Sequence, residues 1–254
     1  MKKIFFPILL MILFMTGCGD DSATNDKLVI GVDDEFAPMS FRDNQGKLVG
    51  FDIDLAEEAA RRMGVEIEFK PIDWNKKETE ITSGNVDMIW SGCDITDEYK
   101  AYMIFGKPYM DNRQVILIKK GSDINSLGDL AGKVVGTQSG SNSETYINSD
   151  AALKNTFAEF ITYRSVTEGY EILSSGKCDA LIIDEIAGRY EVIRQPDMFE
   201  TVEVTVGPVT EFGVAFRKDN TALRNRVQKV FDEMIGDGTA REISERWFHA
   251  DLIK

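Results

Sequence analysis

Histidine is almost missing from this chain, His249 being the only one, which excludes histidine-rich metal sites and any catalytic triad that needs a central histidine. Cysteine is nearly as scarce, with Cys18, Cys93 and Cys178, too few for a disulfide framework. Beyond the first residues no apolar run approaches the roughly 20 residues that span a bilayer. Basic charge is in deficit, with 29 Lys and Arg against 43 Asp and Glu and a net charge of −14. An acidic surface repels polyanions, so a nucleic-acid partner is disfavoured. No motif calls for a metal or an organic cofactor, and none is expected.

What the N-terminus does carry is Lys2 and Lys3, an apolar run from Ile4 to Met15, and then Met15-Thr16-Gly17-Cys18. The run is too short to span a membrane and has the layout of a secretory signal. It resembles the bacterial lipoprotein signal, with Met15 where Leu is usual, which implies cleavage after residue 17 and lipidation of Cys18 (palmitate). Residues 18–27 are polar and read as a flexible tether. The expected location is extracytoplasmic, with the chain lipid-anchored to the bacterial cell membrane. The signal's Lys2 and Lys3 leave with it, so the mature chain is more acidic still. Folding begins near Leu28, and the remaining length suits one large domain or two of roughly 100 residues each.

Strands and helices then alternate. Leu28 to Val32 reads as a strand, and Asp43-Asn44-Gln45-Gly46 as the turn of a hairpin between Met39–Phe41 and Leu48–Phe51. Ile53, Leu55, Ala56, Ala59, Ala60 and Met63 recur at helical spacing and Gly64 stops that helix. A helix over residues 76–82 ends at Ser83-Gly84 and leads into Val86-Asp87-Met88-Ile89-Trp90. The same joint returns where a helix over 167–173 ends at Ser174-Ser175-Gly176 and leads into Cys178-Asp179-Ala180-Leu181-Ile182-Ile183. Glycine supplies the left-handed residue that turns a helix end into a strand, and such a repetition is what two similar lobes would give. Near Val134–Gly136 a strand enters a Gly/Ser turn where Ser141 or Asn142 can cap the next helix. Residues 212–216 form a strand, and 223–247 are helical with a break at Gly236-Asp237-Gly238. This alternation predicts mostly parallel, doubly wound sheets with ligands at their carboxyl ends.

Several motifs, taken together, resemble those of the bacterial extracellular solute-binding proteins, family 3. They are Gly50-Phe51-Asp52-Ile53-Asp54-Leu55-Ala56, Ser91-Gly92 through Ile95-Thr96-Asp97, Lys107-Pro108-Tyr109, the stretch Leu127–Gly136, and Ile183-Asp184-Glu185. The resemblance covers residues 28–254. It implies a two-lobed α/β periplasmic-binding-protein-like fold of type II, each lobe a mostly parallel sheet flanked by helices. Two hinge crossings would divide the chain into residues 28–113 plus 210–254 and residues 114–209. Cys93 and Cys178 then fall in different lobes, as buried free thiols. The implied function is capture of an amino acid, polar or cationic, by a monomer that serves the permease subunits of an ABC importer.

Carried over residue by residue, the resemblance puts Asp33, Phe36, Trp74, Ser91, Gly92, Asp94 and Tyr99 on one side of the cleft. Ser141, Asn142 and Asp184 fall on the other. Trp74 and Phe36 can sandwich an apolar part or face a cation. Asp184 matches the carboxylate that receives the ligand ammonium. Ser91, Gly92, Ser141 and Asn142 offer hydroxyl, amide and backbone donors, and Asp52 reads as a helix cap. Trp90 and Cys93 are expected to pack inward.

Two positions depart from the family. Tyr99 stands where the family has an arginine that forks onto the α-carboxylate, and a phenol cannot make that bidentate pair. Lys100 beside it points elsewhere and is expected in solvent. Asp94 stands where Ser or Thr is common, so the pocket becomes more negative. Two ligand readings stay open: an amino acid whose carboxylate is held by Ser141, Asn142 and backbone N–H groups, or a cationic, even quaternary, amine without a free carboxylate. Two other classes compete, a dehydratase-like enzyme on the same fold and a ligand-presenting subunit for a sensor.

Overall fold

A computed structural model describes residues 27–254, so the expected signal, Cys18 and the tether as far as residue 26 lie outside the described residues. Lys27–Val32 is the centre from which the first sheet is built. It pairs in parallel with Glu66–Pro71 on one side and Met88–Ile89 on the other. Ala215–Arg217 and Met103–Phe105 complete this sheet, and Ala215–Arg217 alone runs against the common direction. The second sheet repeats the plan. Glu159–Tyr163, Val134–Gln138 and Ala180–Asp184 are parallel neighbours, followed by Met110–Lys119, which opposes them, and Phe199–Phe212. Four strands of each sheet thus share a direction, and the fold is the expected two-lobed α/β architecture.

The repeated joint has a shared purpose in the two lobes. Gly84 and Gly176 close their helices with φ of 76° and 75°. Two residues or so later, Asp87 donates its N–H to the Val29 carbonyl and accepts the Val29 N–H on its side chain, both at 2.8 Å. Asp179 makes the same two bonds with Val134, also at 2.8 Å. Each aspartate locks the start of its strand onto the neighbouring one, where a lone backbone bond would fray.

The lobes are joined through Met110–Lys119 and Phe199–Phe212, which pair antiparallel along most of their lengths. At the end nearer the first sheet, Met110 faces Phe212, Asp111 faces Glu211 and Asn112 faces Thr210. Opposed carboxylates repel across a strand pair, and Lys254 relieves this by placing its ammonium on both Asp111 (2.6 Å) and Glu211. The helices Thr221–Gly236 and Thr239–Phe248 return to pack on helix Phe51–Met63. Cys93 and Cys178 are free, buried and attached to different sheets, and Trp90 is buried beside Phe231. Among the described residues no helix is long and apolar enough to cross a membrane.

Candidate ligand-binding site

Strand ends create the site. Lys27–Val32 runs into Asp33, and Met88–Ile89 runs into Ser91-Gly92. Facing them, Val134–Gln138 runs into the Ser139-Gly140-Ser141 turn, and Ala180–Asp184 ends on its acid. Between the facing ends lies a nearly closed cavity, with about 10 Å³ open to the centre of a water-sized sphere. Nine of the ten residues read from the sequence surround it. Asp33, Phe36, Trp74, Ser91, Gly92 and Asp94 come from one side, and Ser141, Asn142 and Asp184 from the other. Gln138 joins them. Larger, more open grooves lie elsewhere, as between Arg42 and Arg194, but they do not meet the strand ends of both sheets.

The lobes are in contact across this cavity. Gln138 Nε2 donates to Asp33 Oδ2 at 2.7 Å. Asn112, on the first crossing strand, donates the same Nδ2 to Asp94 Oδ1 at 2.9 Å and to Asp184 Oδ1. Thr210, the register partner of Asn112 on the other crossing strand, donates to Asp94 Oδ1 as well. Gln114 Nε2 adds a bond to Asp184 Oδ1 at 2.7 Å. The acids of both lobes are therefore tied to the hinge itself.

Burial dominates their electrostatics, because taking a carboxylate out of water favours its neutral form. Burial pushes Asp33 up to about 6 against the opposing bonds from Gln138 and the Glu35 N–H. Asp94 is pushed up to about 7, by burial first and then by the charge of Asp184. Asp184 is raised too, again by burial, with Asn112 and Gln114 working against it. Asp33, Asp94 and Asp184 are the charged residues that line the cavity, and no Lys, Arg or His lines it.

Hydrogen-bond partners correct several expected roles. Asp52 is not a helix cap: Gly50 holds that position, without a side-chain bond. Asp52 is instead fully buried in the first turn, where Oδ2 accepts the Gly92 N–H at 2.6 Å and the Tyr109 hydroxyl at 3.0 Å. Gly92 consequently has no N–H to offer a ligand. Its φ of 53° and the close Phe36 ring, 2.5 Å from where a Cβ would stand, require glycine there. Ser91 lines the cavity, yet its hydroxyl is committed. Ser40 Oγ donates to the Asp33 carbonyl at 2.8 Å and sits 2.6 Å from Ser91 Oγ, so the proton between the two hydroxyls comes from Ser91. Ser141 caps helix Asn142–Ser149 by accepting the Glu144 N–H at 3.1 Å.

Tyr99 is the residue that the structure sets apart. It is 2% exposed and does not line the cavity. Its hydroxyl donates across the cleft to the Gly140 carbonyl at 2.9 Å. Lys77, which sequence reasoning missed, places its ammonium 4.4 Å from the centre of the Tyr99 ring and 5.3 Å from that of Trp74, and donates to the same carbonyl at 2.5 Å. Only 4% of Lys77 is exposed, and burial lowers its pKa below the ordinary lysine value. Lys100 is exposed, beside Asp97.

Asn112, Gln114, Gln138 and Thr210 were also missed. For the first two a signal existed. Strand Met110–Lys119 turns Met110, Asn112, Gln114, Ile116 and Ile118 to the buried side, and polar residues at inward positions of an apolar strand need inward partners. Lys77 had none, because a Lys76-Lys77 pair at a helix start reads as solvated.

Comparison with known proteins agrees with this geometry. The profile of the bacterial extracellular solute-binding proteins, family 3, matches residues 28–250. The L-cystine-binding protein TcyJ of Escherichia coli K12 is 32% identical over 231 residues, which cover 89% of this chain and 84% of that protein. The histidine-binding periplasmic protein of Salmonella typhimurium is 29% identical over 99% of both chains. Among solved structures, a substrate-binding protein of an ABC uptake transporter from Streptococcus pneumoniae with bound histidine superposes with a TM-score of 0.85. It is 33% identical and covers 90% of this chain and 94% of its own. An ancestral arginine-binding protein bound to arginine gives 0.82, at 38% identity, covering 87% and 98%.

Proposed function

The chain belongs to the bacterial extracellular solute-binding proteins of family 3, and on that footing we propose that it captures a small cationic solute of the amino-acid class between its lobes and presents it to the permease subunits of an ABC importer. The observation that carries the cationic character is the cavity's lining, in which Asp33, Asp94 and Asp184 meet no basic side chain. Trp74 and Phe36 add ring faces that attract a cation. Relatives named for histidine, for lysine, arginine and ornithine, and for arginine support the same reading.

Capture works through the hinge. Two acids from opposite lobes share Asn112, so in the closed state they hold like charges close together. A cation placed between them removes that repulsion and favours closure over the open state. The crossing strands Met110–Lys119 and Phe199–Phe212, paired along most of their lengths, would absorb the change of angle, with the hinge near residues 113 and 210. The mature protein is a monomer held at the membrane by lipid on Cys18, with residues 19–26 as its tether, one residue shorter than expected because Lys27 already belongs to the first strand. It binds its ligand without converting it, in keeping with relatives that are named as binding proteins.

Thermal unfolding in the presence of amino acids tests this. Ligand that binds only the folded state at 100 times its dissociation constant stabilises by about 2.7 kcal/mol, and lysine, arginine, ornithine and histidine should exceed neutral and acidic amino acids. A flat response to all of them would sink the proposal. Chromatography of ligand after long incubation should return it unchanged.

A further inference from the structure

Lys77 is a buried cation without an anion. It is 4% exposed, and taking an ammonium out of water is costly unless an opposite charge compensates it. Glu98, Asp94 and Glu144 act on it only through charge at a distance, and no described carboxylate bonds to it. Two of its three N–H donors meet carbonyls, that of Gly140 at 2.5 Å and that of Trp74 at 3.5 Å; the third has no partner among the described residues. The faces of Trp74 and Tyr99 supply the rest of its shell.

That charge stands at the cleft rather than deep in a lobe. Its nearer acceptor, Gly140, comes from the other lobe, so opening leaves the ammonium with the Trp74 carbonyl and the two rings. Trp74 on one side of it, and Ser141 next to Gly140 on the other, both line the cavity. Asn142 follows, also in the lining, and its side-chain amide has no partner among the described residues. The N–H groups of Asn142 and Ser143, in the first turn of helix Asn142–Ser149, are unpaired as well and favour negative charge. Lys77 and these donors therefore meet at the Gly140-Ser141 turn from opposite lobes. The same cavity that carries Asp33, Asp94 and Asp184 in its lining thus has a positive end.

We infer that Lys77 receives the carboxylate of an amino acid, with Asn142 and the first N–H groups of its helix, and that it makes a free carboxylate a condition of tight binding. It supplies the positive charge that a phenol at position 99 cannot. This rests on the cleft being the solute site, as proposed above, and selects between the two ligand readings left open by the sequence. An amine without a carboxylate would leave the buried ammonium uncompensated, whereas an amino acid would pair with it. The positive groups of the solute are left to the acids.

The test compares pairs that differ by one carboxylate. Calorimetry on the mature chain would measure arginine against agmatine, lysine against cadaverine and histidine against histamine. In at least one pair the amino acid should bind at least about tenfold tighter than its amine, the scale of one charge-assisted hydrogen bond. Lys77→Met keeps the aliphatic stem and removes the charge. It should weaken that amino acid at least about tenfold and leave the amine no weaker, because losing a cation does not make a site less hospitable to an ammonium. General damage to the closed state would weaken both alike. Lys77→Gln is a second variant should the first fold poorly, and the parent's own ratios stand as a test without either. Amines that match or exceed every amino acid in the parent would overturn this inference and leave cation capture standing. A gap that persists in a folded variant would overturn it too. No heat and no thermal shift from any of the six compounds would overturn the inference together with the cationic-solute reading.

Discussion

Tyr99 and Gly140 are joined across the cleft by a 2.9 Å bond from the phenol to the carbonyl. That bond exists only when the lobes are together, so it belongs to the closed state. Lys77 shares the acceptor, and Tyr99→Phe would leave it in place. A neutral hydrogen bond contributes about 0.5–1.5 kcal/mol, equivalent to about a 2- to 10-fold change. Stopped-flow measurement should show ligand leaving faster by that factor with association little altered, because closure follows encounter. An unchanged dissociation rate would detach this bond from closure.

Gly140 itself is irreplaceable for a steric reason. Its φ is +75°, and a Cβ would stand 2.6 Å from Asn75 Cα, backbone that cannot swing away. Gly140→Ala should leave both lobes folded but keep them apart. Affinity should fall at least tenfold, and small-angle scattering with saturating ligand should report a larger radius than the parent. Parent-like affinity would mean the turn closes in some other way.

Asp52 should prove structural rather than superficial. Asp52→Ala strands the Gly92 N–H and the Tyr109 hydroxyl in a dry site, and losses of this kind cost about 2–4 kcal/mol. Asp52→Asn keeps an acceptor oxygen and should cost less. Urea unfolding reads both, and a loss under about 1 kcal/mol for the alanine variant would contradict the strut.

Acidity should weaken cation capture. Asp33 at about 6 and Asp94 at about 7 both lie above their unfolded values, so the fold favours their protonated forms. Their contribution to stability is complete below the unfolded value near pH 4 and is lost as pH rises to about 7. Glu58, held at about 2 by Arg61 and Arg62, acts the other way, so melting curves mix the two. Affinity separates them: a cation prefers ionised acids, and its binding should strengthen from pH 5 to pH 8 with release of protons. Calorimetry in buffers of different ionisation heat measures that release. Asp94→Asn should flatten the profile, and a pH-independent parent would exclude these acids as the binding groups.

Much of the site was legible because its residues sit at motif positions on strand ends. Asp184 ends its strand where its motif stands, Trp74 reaches the cavity from the short helical turn Trp74–Lys76, and the paired joints at Gly84 and Gly176 announced two lobes. Ser91 and Gly92 line the cavity, with the Ser91 hydroxyl on Ser40 and the Gly92 N–H on Asp52, since a hydroxyl or an N–H has one proton and its acceptor cannot be read locally. Asn112 and Gln114 left a trace in the inward face of an apolar strand. Lys77 left none, because its burial depends on Gly140 arriving from the other lobe.

The sequence by itself determined the alternation of strands and helices, the repeated joint that runs from Gly84 and Gly176 into a strand, and the acidity of the chain. These follow from local periodicity, from glycine's access to left-handed backbone, and from composition. Only the tertiary structure decided which donors remain free, which acids share a nitrogen, and where the buried Lys77 ammonium points. Those outcomes depend on contacts between segments far apart in the chain, where each polar group takes the nearest partner that folding brings to it.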